Sequence, residues 1–99
     1  MPVLVTADFP FIHAELYKKT HRLMMNNGRP EGFIAHACLK KGKGISVADI
    51  WESREHFENF ARGKIGFTME KLGLAGGPEN VVITELINAD AFEYSGGVL

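Results

Sequence analysis

The chain has 99 residues, 45% of them hydrophobic and 23% charged, which suits a single globular domain and leaves no room for a second. A formal charge of −1, with Lys40, Lys41 and Lys43 as the only basic cluster, gives no electrostatic footprint for nucleic acid. No apolar run approaches the roughly 20 residues of a membrane helix, and the N-terminus lacks the basic-then-apolar order of a secretory signal, so a cytoplasmic protein is expected, with no nucleic-acid or membrane partner. Cys38 is the sole cysteine, which rules out an intrachain disulfide and a Cys-rich zinc site and leaves a buried inert thiol as the simplest reading.

Val3-Leu4-Val5-Thr6 is rich in β-branched residues, and Asp8-Phe9-Pro10 then supplies a capping residue and a proline. This predicts a first strand over about residues 2–8, with Asp8 as a cap for the helix that follows and, second, as a carboxylate facing a cavity. From Phe11 to Asn27 the apolar positions Ile12, Leu16, Leu23 and Met24 recur at helical spacing, and Asn26-Asn27-Gly28 supplies a left-handed stop. Two β-rich runs, Phe33 to Leu39 and Ile45 to Trp51, flank the glycine-punctuated Lys40-Lys41-Gly42-Lys43-Gly44 and predict a hairpin.

Ser53 is an N-cap for a second helix, with Glu55 at its positive end and Phe57, Phe60 and Ala61 on one face. Gly63 and Gly66 interrupt it, and Ile65, Met69 and Leu72 resume helical spacing before Gly73, which predicts a bent or two-piece helix broken near Gly63. After the loop Gly76-Gly77-Pro78, Val81 to Ile87 reads as a last strand. Residues 1–88 thus form one domain and 89–99 a C-terminal tail.

The order strand, helix, hairpin, helix, strand is the α+β, ferredoxin-like βαββαβ arrangement with a four-stranded antiparallel sheet and both helices on one face. The strands carry apolar residues on both parities: Val3 and Val5 against Leu4, Val81 and Ile83 against Val82 and Leu86. A sheet apolar on both faces is covered on both faces, and in a chain this short the second cover is best supplied by a second copy.

If the hairpin is centred between Gly42 and Lys43, His36 faces Asp49, Ile34 faces Trp51 and Cys38 faces Val47. Opposed side chains lie roughly 5 Å apart at Cβ, close enough for Asp49 to fix the tautomer of His36. So oriented, and beside the Trp51 indole, His36 can take a proton from a phenol-like or enol-like substrate. The alternative is a satisfied buried polar pair that sets strand register. Trp51 is either core or the lining of a pocket at the strand's end. His13, Tyr17 and His21 share a stripe of the first helix, which either rims that pocket, as a substrate-binding surface, or faces water. His13 and His21 lie too far apart, and without a suitable glutamate, for a zinc-protease motif, so no metal is expected. No Ser-His-Asp order, P-loop or GxGxxG occurs, and Gly42-Lys43-Gly44 lacks the helix start that phosphate binding requires, so no cofactor is expected.

"PEGFIAHACL" followed, after a polar turn, by "ISVADIWESREHFENFARGKIGFTMEKLGL" resembles the dimeric α+β barrel proteins of the antibiotic-biosynthesis-monooxygenase-like group. The resemblance runs over residues 3–87 and is strongest from Pro30 to Leu74. It implies a homodimer whose two sheets face each other across a shared barrel, with a small-molecule pocket between sheet and helices. The activity implied is that of a cofactor-free monooxygenase acting on an apolar or aromatic substrate. The rival from another class is a non-catalytic dimer that binds an apolar metabolite or serves as a stability or regulatory module; fold alone does not choose. Trp51 looks like the tryptophan that haem-degrading members carry at the end of the third strand. Their strand-one asparagine, however, is absent from Thr6-Ala7-Asp8, and His56 stands earlier in helix two than their iron ligand, so haem is not expected.

Overall fold

A computed structural model describes residues 1–26, 28–65 and 77–91. The elements are β1 (Val3–Phe9), α1 (Ala14–Met24), β2 (Phe33–Lys41), β3 (Gly44–Trp51), α2 (Arg54–Phe60) and β4 (Glu79–Glu85), with a π-helical turn at Ala61–Ile65 directly after α2. All strand pairs are antiparallel and the order across the sheet is β2-β3-β1-β4, the ferredoxin-like topology. The central pair is the most buried because it has neighbours on both edges. Val3, Val5, Ala7 and Phe9 of β1 alternate inward and meet Trp51, Asp49, Val47 and Ile45 of β3 on the same face.

Two apolar clusters fill the space between sheet and helices: Ala7, Phe9, Ile12 and Ile45 with Leu16 and Tyr17 packed on them, and Val3, Val5 and Trp51 with Phe33, Phe57 and Phe60. The opposite face carries Leu4, Thr6, Ala48 and Ile50 and is only partly covered, while Leu39 and Val82 are 55% and 53% exposed. The apolar residues on both parities are present as read, but a single chain covers one of the two faces.

Local chemistry explains where the elements begin and end. The hairpin turns at Gly42 (φ 59°), flanked by the pair Lys41 and Gly44; glycine in the left-handed region at the first central position is what a type II′ turn requires. The first helix starts at Ala14, three residues later than its periodicity suggests. The backbone N–H of Ile12 bonds Phe9 O and completes a turn through the proline, and the capping group is the imidazole of His13, whose Nδ1 accepts from the Leu16 N–H at 3.3 Å. Ile12 and Tyr17 stand at the positions of a hydrophobic staple.

Asp8 is therefore neither a helix cap nor a cavity carboxylate. It is the penultimate residue of β1, on the sheet, where Lys41 Nζ and Asn80 Nδ2 both donate to its Oδ2 at 2.8 Å. Lys41, and after it Asn80 and Ser46, hold its carboxyl down at about 2. Ser53 caps α2, its Oγ accepting from the His56 N–H at 3.2 Å. Regular winding ends at Phe60 and the helix widens at Ala61, just before the expected break at Gly63. The predicted continuation through Met69 and Leu72 to Gly73 lies outside the described residues. β4 starts and ends two residues earlier than predicted, and the Leu86 N–H past its end bonds Pro2 O at 2.8 Å.

Candidate active site

Sheet register assembles the site. His36 and Asp49 are paired across β2 and β3, and Cys38 pairs with Val47, as the centred turn requires. The predicted pairing of Ile34 with Trp51 fails: Phe33 opposes Trp51, Ala35 opposes Ile50, and Ile34 is the extra residue of a β-bulge. The bulge has a positional effect. It puts Phe33 and His36, three apart in sequence, on the same helix-covered face.

His36 Nδ1 lies 2.5 Å from Asp49 Oδ1, and its Nε2 lies 2.5 Å from the Tyr17 hydroxyl. The two side chains of the His36–Asp49 pair are 12% and 14% exposed. Burial pushes the Tyr17 phenol well above its usual range, with the nearby Cys38 and Asp49 adding to the effect. The phenol therefore stays protonated. Asp49, as a carboxylate, only accepts, so Nδ1 carries a proton toward it, and in the neutral imidazole Nε2 is left to accept the Tyr17 O–H. The result is one directed chain, Tyr17 O–H to His36 to Asp49. His21 closes the cluster from the next turn of α1, its ring centre 5.3 Å from that of His36 and 5.6 Å from that of Tyr17. Burial, then the neighbouring His36, lowers its pKa, so its imidazole is neutral at pH 7. Burial likewise raises the Cys38 thiol, which remains protonated.

A cavity of about 60 Å³ lies against this chain between α1 and the sheet. Tyr17, His21, His36 and Asp49 line it beside Phe9, Phe33 and Phe60, so its wall is apolar with one polar strip. Of the five candidate residues read from the sequence, four meet here. Trp51 does not: it is 0% exposed, its ring is enclosed by those of Phe33, Phe57 and Phe60 at 5.0–6.1 Å, and it is not among the described residues that line the cavity. Its place is behind the site, supporting Phe33 and Phe60. His13 also drops out, because its cap role holds it at the exposed start of α1. Periodicity placed Tyr17 and His21 on one stripe but left the direction of that stripe open; the buried staple at Ile12 turns it toward β2.

His56 is held in the first turn of α2 by Ser53 Oγ, 2.7 Å from its Nδ1. Its side chain packs over Gly32, where an added Cβ would lie 2.3 Å from the ring. Among the described residues no group of three or more His, Cys, Asp or Glu side chains is arranged to hold a metal ion, and no helix is long and apolar enough to cross a membrane.

No family model matches the chain, and no curated protein does. Solved structures do. An inferred antibiotic biosynthesis monooxygenase from Chloroflexus aurantiacus superposes with a TM-score of 0.65 at 8% identity, over 92% of this chain and 98% of that one. The haem-degrader MhuD of Mycobacterium tuberculosis, with two haems in its active site, gives 0.56 at 20% identity, over 92% and 100%. A variant of SnoaB, a cofactor-independent oxygenase of Streptomyces nogalater, gives 0.56 at 16% identity, over 89% and 94%. The chain therefore has the α+β fold of antibiotic-biosynthesis-monooxygenase-like proteins.

Proposed function

We propose that the chain is a small-molecule enzyme resembling the cofactor-free monooxygenases, and that it removes a proton from a phenol-like or enol-like substrate through Tyr17, His36 and Asp49. The observation that carries this reading is the pair of 2.5 Å contacts that make the three side chains one relay at the wall of a cavity. His36 Nε2 is already occupied by the Tyr17 hydroxyl, so a substrate meets Tyr17 first. Its acidic O–H donates to the Tyr17 oxygen while the Tyr17 proton passes to Nε2. The imidazolium formed is then stabilised by Asp49, and the substrate is left as its anion. No tyrosinate accumulates, in keeping with the raised Tyr17 pKa. An electron-rich anion is the species that dioxygen can oxidise without a cofactor, and SnoaB, with the same fold, is a cofactor-independent oxygenase.

The working unit in this reading is a homodimer, the second copy covering the sheet face that carries Leu4, Ala48 and Ile50. The competing reading, a non-catalytic dimer that serves as a stability or regulatory module, draws its support from cavity size. About 60 Å³ is well under the roughly 150 Å³ of an apolar cavity that holds benzene. A screen of electron-rich phenols for oxygen uptake separates the two. The enzyme reading predicts a phenol whose oxidation by wild type exceeds that by His36→Ala by about 10²-fold or more. Equal rates in the two proteins would take His36 out of the chemistry, and no oxidation of any phenol by wild type would leave the non-catalytic dimer.

A further inference from the structure

A second and much larger space adjoins the cavity. It is a groove of about 720 Å³ between α1 and the strands of the hairpin, and Tyr17, His21 and Ile45 line both spaces. These three side chains are therefore the wall between an inner chamber too small for an aromatic ring and an outer groove with ample room for one. Tyr17 can be met from the outer side.

The groove differs in charge from the rest of the molecule. Lys18 and Arg22, one turn apart on α1, and Lys40 on β2 supply three cations, against one acid, Glu15, which already pairs with Lys18 at 3.7 Å. Among the described residues neither Arg22 nor Lys40 has an ion-pair partner. A local excess of positive charge in a chain of net charge −1 marks the groove for an anion. His21 is not part of that excess, since burial keeps its ring neutral.

We infer that the outer groove selects an aromatic hydroxy acid, its ring lying against α1, its phenolic hydroxyl on Tyr17 and its carboxylate between Arg22 and Lys40. This rests on the proposed role of Tyr17 and adds the substrate class to it. The carboxylate would be the handle and the hydroxyl the reacting group. Arg22 and Lys40 are then specificity-determining residues outside the proton relay.

Two fluorescent probes that differ only in that handle, a hydroxynaphthoate and the corresponding naphthol, provide the test. Each is titrated into wild type, the double variant Arg22→Gln/Lys40→Gln and Tyr17→Phe, at low salt and at about 0.5 M salt, where exposed charges are screened within a few ångströms. Wild type should bind the hydroxynaphthoate about tenfold more tightly than the naphthol, the product of two exposed ion pairs worth about threefold each. High salt and the double variant should each reduce that preference to near unity. Both substituted residues are exposed, so circular dichroism should report unchanged folding.

Equal affinities in wild type, a preference that survives in the double variant, or failure of both probes to bind at millimolar concentration would each overturn the inference. The naphtholate absorption band of bound ligand reads the relay separately. A band present in wild type and absent in Tyr17→Phe, without any carboxylate preference, would sink the groove assignment and keep the relay. A carboxylate preference without the band would do the reverse.

Discussion

Tyr17, His36 and Asp49 form one part-buried hydrogen-bond chain, and each end of it has a measurable consequence in the proposed enzyme. Replacing Asp49 by Ala leaves His36 Nδ1 without its acceptor in a place water barely reaches. That should cost about 1–3 kcal/mol in urea unfolding, whereas Asp49→Asn, which keeps an acceptor oxygen, should cost less. On turnover the ranking changes. Asn cannot stabilise an imidazolium as a carboxylate does, so both variants should lose roughly 10²–10⁴-fold in oxygen uptake. Asp8 makes a different prediction, because its carboxyl is held at about 2, below its ordinary 3.8. A depressed carboxyl stabilises the fold above the ordinary value and stops doing so as pH falls through the depressed one. Thermal melts of wild type should therefore drop more steeply between pH 4 and about pH 2 than those of Asp8→Asn. Parallel curves would mean that Lys41 and Asn80 add nothing to stability.

The hairpin is the element that makes the site, and it was also the most legible part of the chain. A glycine-flanked turn centred between Gly42 and Lys43 fixes the pairing, and pairing alone brings His36 to Asp49. The same centring misplaced Ile34, because a bulge adds a residue without any local sequence mark. Gly42→Val forces a β-branched side chain into φ 59° and should cost about 1–3 kcal/mol in chemical denaturation. If the turn slips by one residue to relieve that strain, His36 and Asp49 move to opposite faces and oxygen uptake disappears with the register. A Gly42→Val variant of unchanged stability and activity would show that the turn does not hold the pair. The helices were harder to read. Asp8 looked like the cap of α1 because capping residues are recognised by type, yet its partners Lys41 and Asn80 are distant in sequence. The turn through Pro10 handed the cap to His13. Trp51 read equally well as pocket or core, and three phenylalanines, one from β2 and two from α2, decided for core.

Across the whole molecule, the two parities of the strands state a requirement that one chain does not meet. The helix face is packed, while the face bearing Leu4, Ala48 and Ile50 is half open. A second copy seated there would bury on the order of 800 Å² per partner if the interface is of ordinary size. Light scattering at micromolar concentration should give a dimer mass for wild type and a monomer mass for Ile50→Lys, which puts an ammonium on that face. A monomeric wild type would remove the dimer from the account. The fold and the cross-strand pair were thus readable in one dimension, since both follow from period and turn. The cavity, the link from Tyr17 to His36 and the outer groove were not, because they depend on which way α1 rolls when Ile12 is buried. That roll sets the Tyr17 phenol on His36 Nε2, and a single comparison tests its proposed role most directly: oxygen uptake with an oxidisable phenol by wild type, Tyr17→Phe and His36→Ala. The relay predicts that Tyr17→Phe stays folded and loses about 10²-fold or more, as His36→Ala does. Wild-type turnover by Tyr17→Phe would contradict it.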